Sequence, residues 1–79
     1  MEINSGDIVY CTSISVLFEV GEVFTTVIGD RIHPVVGSII DNSTGKESEG
    51  DYDGYIFSSN NCAKAGILVV EWYNKRNTV

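Results

Sequence analysis

Short apolar runs rich in β-branched and aromatic residues alternate along this chain with clusters of Gly, Asn, Asp and Ser. That is the pattern of strands separated by turns, and no window of helical length carries a clean 3.6-residue period. The run Ile8 to Ile14, after Gly6-Asp7, predicts a first strand. Val23 to Ile28, bounded by Gly21 and by Gly29-Asp30, predicts a second. Pro34 fixes its own φ and pushes His33 toward an extended conformation, so residues 30–34 read as a turn leading into a third strand, Val35 to Ile40. Tyr52 to Ser58 predicts a fourth strand. Ser59 to Ala65 reads as a polar connection with room for one 3₁₀ turn. Ile67 to Tyr73 predicts a fifth strand, with Leu68, Val70 and Trp72 on one face and Ile67, Val69, Glu71 and Tyr73 on the other. The tail from Asn74 is expected to fray.

Between the third and fourth strands the sequence turns polar. Asp41 to Gly50 cannot bury enough apolar area to offset the entropy of ordering, so a long, mobile, acidic loop is expected there. Five short strands leave unpaired edges, and closure into a small barrel removes them. The expected fold class is therefore all-β, a small five-stranded barrel with one long acidic loop. The chain's 79 residues allow one hydrophobic core and not two, so residues 1–79 are expected to form a single domain.

Three stretches resemble small SH3-like barrel proteins of phage and prophage genomes. They are Gly6-Asp7-Ile8-Val9-Tyr10-Cys11, then Gly21-Glu22-Val23-Phe24-Thr25-Thr26-Val27, then Asp51-Tyr52-Asp53-Gly54-Tyr55-Ile56-Phe57. Phe24 stands where those proteins usually have tyrosine. The resemblance implies an SH3-like barrel acting as a non-enzymatic adaptor. A phage setting would imply an inhibitor of a host defence or nucleic-acid-handling protein, working in the host cytoplasm.

Charge narrows the partners. Eleven Asp and Glu against five Lys and Arg give a formal net charge of −6, which opposes direct binding to a phosphate backbone and suits docking on a basic protein surface. No apolar run reaches the roughly 18 residues needed to cross a bilayer, and no basic segment followed by an apolar core marks a signal peptide at the start. On that ground a cytoplasmic location is expected, with Cys11 and Cys62 as two buried thiols. A bridge between them remains geometrically open. Asn42-Ser43-Thr44 matches the glycosylation acceptor pattern and is read as chance.

The chemistry of an enzyme is not written in these residues. His33 is the only histidine, expected as a solvated turn residue, and a Cys–His pair would need an electropositive niche that this composition does not offer. There is no glycine-rich phosphate loop, and the cysteines and histidine lack zinc-site spacing. No cofactor and no metal are expected. Glu47, Glu49, Asp51 and Asp53 alternate, so an extended backbone would set carboxylates about 6.6 to 7 Å apart along one side, enough to imitate a nucleic-acid backbone. The helix-loop-helix calcium pattern does not follow Asp51. Eight aromatic residues, Tyr10, Phe18, Phe24, Tyr52, Tyr55, Phe57, Trp72 and Tyr73, exceed what one small core hides. Glu47, Glu49, Asp51, Tyr52, Asp53, Tyr55 and Tyr73 together are the expected partner-binding face, for a host protein with a basic surface. Val16-Leu17-Phe18 is a second expected contact. Two alternatives are a structural or assembly homo-oligomer using strand edges, and a small-ligand sequestering protein.

Overall fold

The computed structural model describes residues 2–47 and 56–76. The order of elements is β1 (Ile8–Cys11), β2 (Val16–Thr26), β3 (Gly29–Pro34), β4 (Ile40–Asp41), β5 (Phe57–Ser58), a 3₁₀ turn (Ser59–Asn61), β6 (Cys62–Lys64) and one helix, α1 (Ile67–Lys75). All pairings are antiparallel. The strands follow the order β5-β3-β2-β1-β6, with β4 beside the start of β2. The chain is thus mostly β, as its pattern predicts.

The organising element is β2, eleven residues long. Its first half pairs with β1, from Cys11↔Val16 to Ile8↔Glu19, and its second half pairs with β3, from Val20↔Pro34 to Thr26↔Gly29. The register shifts between Val20 and Glu22, so a bulge at Gly21 bends the strand and lets it serve two sheets. Only glycine fits there without adjustment: a Cβ on Gly21 would lie 3.2 Å from the His33 carbonyl oxygen.

Period-two alternation explains the packing on both faces of β1 and β2. Val9, Cys11, Val16, Phe18 and Val20 point inward with Ile3, Ile32, Ile39 and Phe57 into the main core, where the Phe18 and Phe57 rings stack at 4.7 Å. Ile8 and Leu17 point the other way, and with Ile40 they meet Tyr73 of α1 in a second cluster. The expectation that Val16-Leu17-Phe18 forms an exposed contact is therefore corrected. These residues are buried strand, because both faces of this part of the sheet are covered.

Four further expectations change. The five-stranded closed barrel is not found: the strand path ends on β5 and β6, two and three residues long. The segment expected as the fifth strand is instead α1. Its three β-branched residues favour a strand locally, yet as a helix it places Val70 and Tyr73, three apart, over the apolar outer face of the sheet, and that burial outweighs propensity. Val35 to Ile39 is irregular, with a turn at Val36-Gly37 and strand only from Ile40, and the strand lies one segment earlier, at β3. Finally, Cys11 and Cys62 form a disulfide. They stand directly opposite each other in the β1–β6 ladder, so the ladder itself brings the two side chains together. The expectation of two thiols is corrected. No helix among the described residues is long and apolar enough to cross a membrane.

From Asp41 to Glu47 the expected mobile loop is also more built than its composition suggests, and its remaining residues lie outside the described ones. The Asp41 carboxylate accepts from the Ser43 N–H and hydroxyl, the Gly45 N–H donates to the Asp41 carbonyl, and the Asp41 N–H donates to the Lys46 carbonyl. A bridge between Ile40 and Glu47 closes this turn. Local side-chain bonds from Asp and Ser supply the order that apolar burial does not.

Candidate functional site

Of the seven residues expected to form the binding face, Glu49, Asp51, Tyr52, Asp53 and Tyr55 lie outside the described residues. Glu47 and Tyr73 are brought together by a residue not anticipated, Arg76. Its guanidinium sits 4.0 Å over the Tyr73 ring and 3.3 Å from the Glu47 carboxylate. Arg76 Nε and Nη1 are buried without an aligned hydrogen-bond acceptor, so Arg76 is held by the ring and by charge. Tyr73 is not displayed for a partner. It is 4% exposed, and its hydroxyl donates to the Ser38 carbonyl at 3.2 Å. Ser38 is itself buried and donates to the Val35 and Glu19 carbonyls. Desolvation lifts the Tyr73 phenol above the usual tyrosine range, against the opposing pull of the Ser38 side chain and Arg76. Tyr73 is thus the peg that fastens α1 to the sheet.

Fastening α1 this way leaves its other side apolar and open. Leu68 is 80% exposed and Trp72 47%, with Ile67 and Val69 also exposed. Leu68 and Trp72 are four residues apart on one helical face, and Val69 and Trp72 three. Beside them runs an open groove of about 310 Å³ lined by Leu68, Val69 and Trp72 from α1, Leu17 and Ile40 from the sheet, and the turn residues Asp41, Asn42 and Gly45. The floor is aliphatic and one rim carries the Asp41 carboxylate. The Ser43 hydroxyl, then the Ser43 N–H, hold that carboxyl below its ordinary range, so the rim charge persists through neutral pH. On the other flank of α1 the surface is polar, with Lys64 paired to Asp7 at 3.4 Å.

The groove was legible only in part. The sequence pattern places Leu68, Val69 and Trp72 on strand faces. The signals against a strand were Gly66 just before the run and Lys75 and Arg76 at its end, where cations suit a helix C-terminus. The groove is of a size found at the bottom of the range for small-molecule sites, and it matches a large side chain or two from a partner.

No arrangement for bond chemistry stands out among the described residues. Both cysteine sulfurs are in the bridge. His33 lies in β3 rather than in a solvated turn, half-buried, with Nδ1 3.0 Å from the Pro34 carbonyl oxygen. No group of three or more His, Cys, Asp or Glu comes together among the described residues. Comparison with protein-family models, with curated proteins and with solved structures gives no match to this chain.

Proposed function

We propose that this chain is a non-enzymatic protein-binding domain that takes an apolar and basic segment of a partner protein into the groove between α1 and β4. One observation carries the reading: Leu68, Val69 and Trp72 offer large apolar surface to solvent beside Leu17 and Ile40, in a groove rather than scattered. Contiguous exposed apolar surface of this kind marks interaction sites, and a half-exposed tryptophan is the residue type most often found at the energetic centre of an interface. Charge chooses the partner. The chain carries −6 and the groove rim carries Asp41, so a segment with lysine or arginine flanking its apolar anchors is drawn in and an acidic one repelled.

Of the acidic, tyrosine-flanked face expected from the sequence, Glu47 and Tyr73 enter this proposal: with Arg76 they brace α1 beside the groove. The SH3-like kinship is kept as part of the proposal, supported by a bent β2 that serves two sheets. An inhibitor of a host protein with a basic surface, phage-borne, is the narrower form of the same reading, and it stands on the resemblance and the charge.

Trp72 is the only tryptophan, so its emission reports on the groove directly. Titration with a synthetic leucine- and lysine-bearing amphipathic peptide is expected to shift Trp72 emission to the blue, with a salt-sensitive affinity. The same peptide with glutamate for lysine is expected to do nothing. Leu68→Ser, at a site exposed enough to leave the fold intact, is expected to weaken binding roughly tenfold, the size of one interface anchor. Equal response to both peptides, or an unchanged titration with Leu68→Ser, would remove the groove as the contact.

A further inference from the structure

Among the described residues, the sheet edges are blunted everywhere but at one. The end strands β5 and β6 are two and three residues long, and β6 carries Lys64. Short length and lysine are the usual protections against unwanted pairing. The second half of β2 has neither. Its inner side pairs with β3 through Thr26, whereas the side that faces β1 is used only as far as Val20, which bonds Gly6 and Asp7, and Gly21, whose carbonyl accepts from Ser5. From Glu22 to Thr26 no backbone bond reaches that side from any described residue.

Among the described residues, little covers the tip of the ribbon formed by this half of β2 and the start of β3. Phe24 is 41% exposed, Val27 105% and Ile28 73%. The turn at Val27-Ile28 carries two branched aliphatic residues where hairpin chemistry favours Asn and Gly, and it is Gly29, at φ +121°, that takes the positive dihedral. β5 backs this ribbon only at Arg31 and Ile32, so its tip, Thr25 to Asp30, is a two-stranded stretch that gains from a further strand. The window Val23-Phe24-Thr25-Thr26-Val27-Ile28-Gly29 holds no charge and no proline, which is the composition of a strand that accepts another strand.

We infer that this edge of β2 pairs antiparallel with the same edge of a second copy of the chain, forming a two-fold dimer whose sheet runs through both molecules. A second copy fits better than a foreign strand because the edge is complementary to itself. With Thr25 opposite Thr25 on the two-fold axis, Phe24 faces Thr26 on either side of it, and the pairing ends where each chain enters its Val27-Ile28 turn. Threonine and aromatic–β-branched pairs are favourable cross-strand neighbours, and no like charges stand opposite each other. Two chains of charge −6 thereby meet along their uncharged stretch, and a two-fold axis closes the assembly at two rather than propagating it. The pairing uses neither α1 nor the groove, so it holds or falls independently of the partner-binding reading.

Sedimentation velocity from roughly 10 µM to 1 mM, the range expected of a small interface, is expected to show a monomer–dimer equilibrium. Thr25→Lys sets two lysines opposite each other at the axis and is expected to weaken the dimer about tenfold or more at low salt, as is Thr25→Glu. Mixing the two variants is expected to restore association as a heterodimer, a rescue that damage to the fold would not permit. Leu68→Ser is expected to leave the dimer unchanged. A monomer across the whole range would overturn the inference. So would a dimer that survives Thr25→Lys, or one lost with Leu68→Ser, which would put the contact on α1.

Discussion

Replacing Tyr73 tests the way α1 is held. The side chain is 4% exposed, packed with Ile8, Leu17 and Ile40, bonded through its hydroxyl to the Ser38 carbonyl and covered by Arg76. Tyr73→Phe keeps the ring and its packing and removes the hydroxyl, for an expected loss of about 1 kcal/mol. Tyr73→Ala removes the ring as well. Truncation of a buried aromatic costs about 3–5 kcal/mol, and loss of the cation–ring contact adds roughly 0.5–1 kcal/mol. A domain of this size has a total stability on the order of 4–12 kcal/mol, so the alanine variant gives up much of it. The loss is expected to appear first in α1. Gly66 gives the helix no side-chain cap, and Tyr73 is its only buried residue. Urea titration followed by Trp72 emission should therefore show the helix of Tyr73→Ala releasing before the β signal in circular dichroism is lost, whereas Tyr73→Phe and the parent chain should report one midpoint by both probes. Tyr73→Ala within about 0.5 kcal/mol of Tyr73→Phe would refute the peg, because the ring would then be contributing almost nothing.

Three further outcomes follow from the same structure. The Cys11–Cys62 bridge joins residues separated by 51 positions, and chain-entropy arguments give about 4 kcal/mol for a loop of that length. Urea midpoints with and without a phosphine reductant should differ accordingly, reduction being verified by mass, and equal midpoints would contradict it. Burial raises the Tyr73 phenol, so the folded chain keeps that proton more tightly than the unfolded one. Its contribution is intact below about pH 10 and lost as pH climbs through the folded value, and Tyr73→Phe should flatten this alkaline decline in urea midpoint. Gly21→Ala brings a methyl to 3.2 Å from the His33 carbonyl oxygen, and should cost about 1–3 kcal/mol in thermal or urea unfolding as the bulge adjusts.

The parts legible in the sequence were those fixed by local chemistry. The start of β1 at Ile8, the strand through Val23 to Thr26, the 3₁₀ turn after Ser58 and the predominance of β-structure all follow from β-branched runs and turn residues. What was hidden depended on contacts distant in sequence. Ile67 to Tyr73 is apolar enough at every spacing to satisfy a strand or a helix, and the choice was made by the apolar outer face presented by Ile8, Leu17 and Ile40. Val16-Leu17-Phe18 looked like a sticky connection because it has no polar face, and it has none because the core lies on one side and α1 on the other. Whether the cysteines meet depends on the adjacency of β1 and β6, which no local pattern encodes. At the candidate site, the acidic residues drew attention through their alternation, whereas the groove became visible only when α1 was placed beside the Asp41 turn.

The bridge between Cys11 and Cys62 has one practical outcome for handling the protein. Any protease cut between those positions, the Asp41 turn included, leaves two pieces still joined covalently. A nicked sample would run as a single species, heavier by one water, until a reductant separated the pieces. Digestion mapped without reduction would thus mistake a cleaved chain for a resistant one.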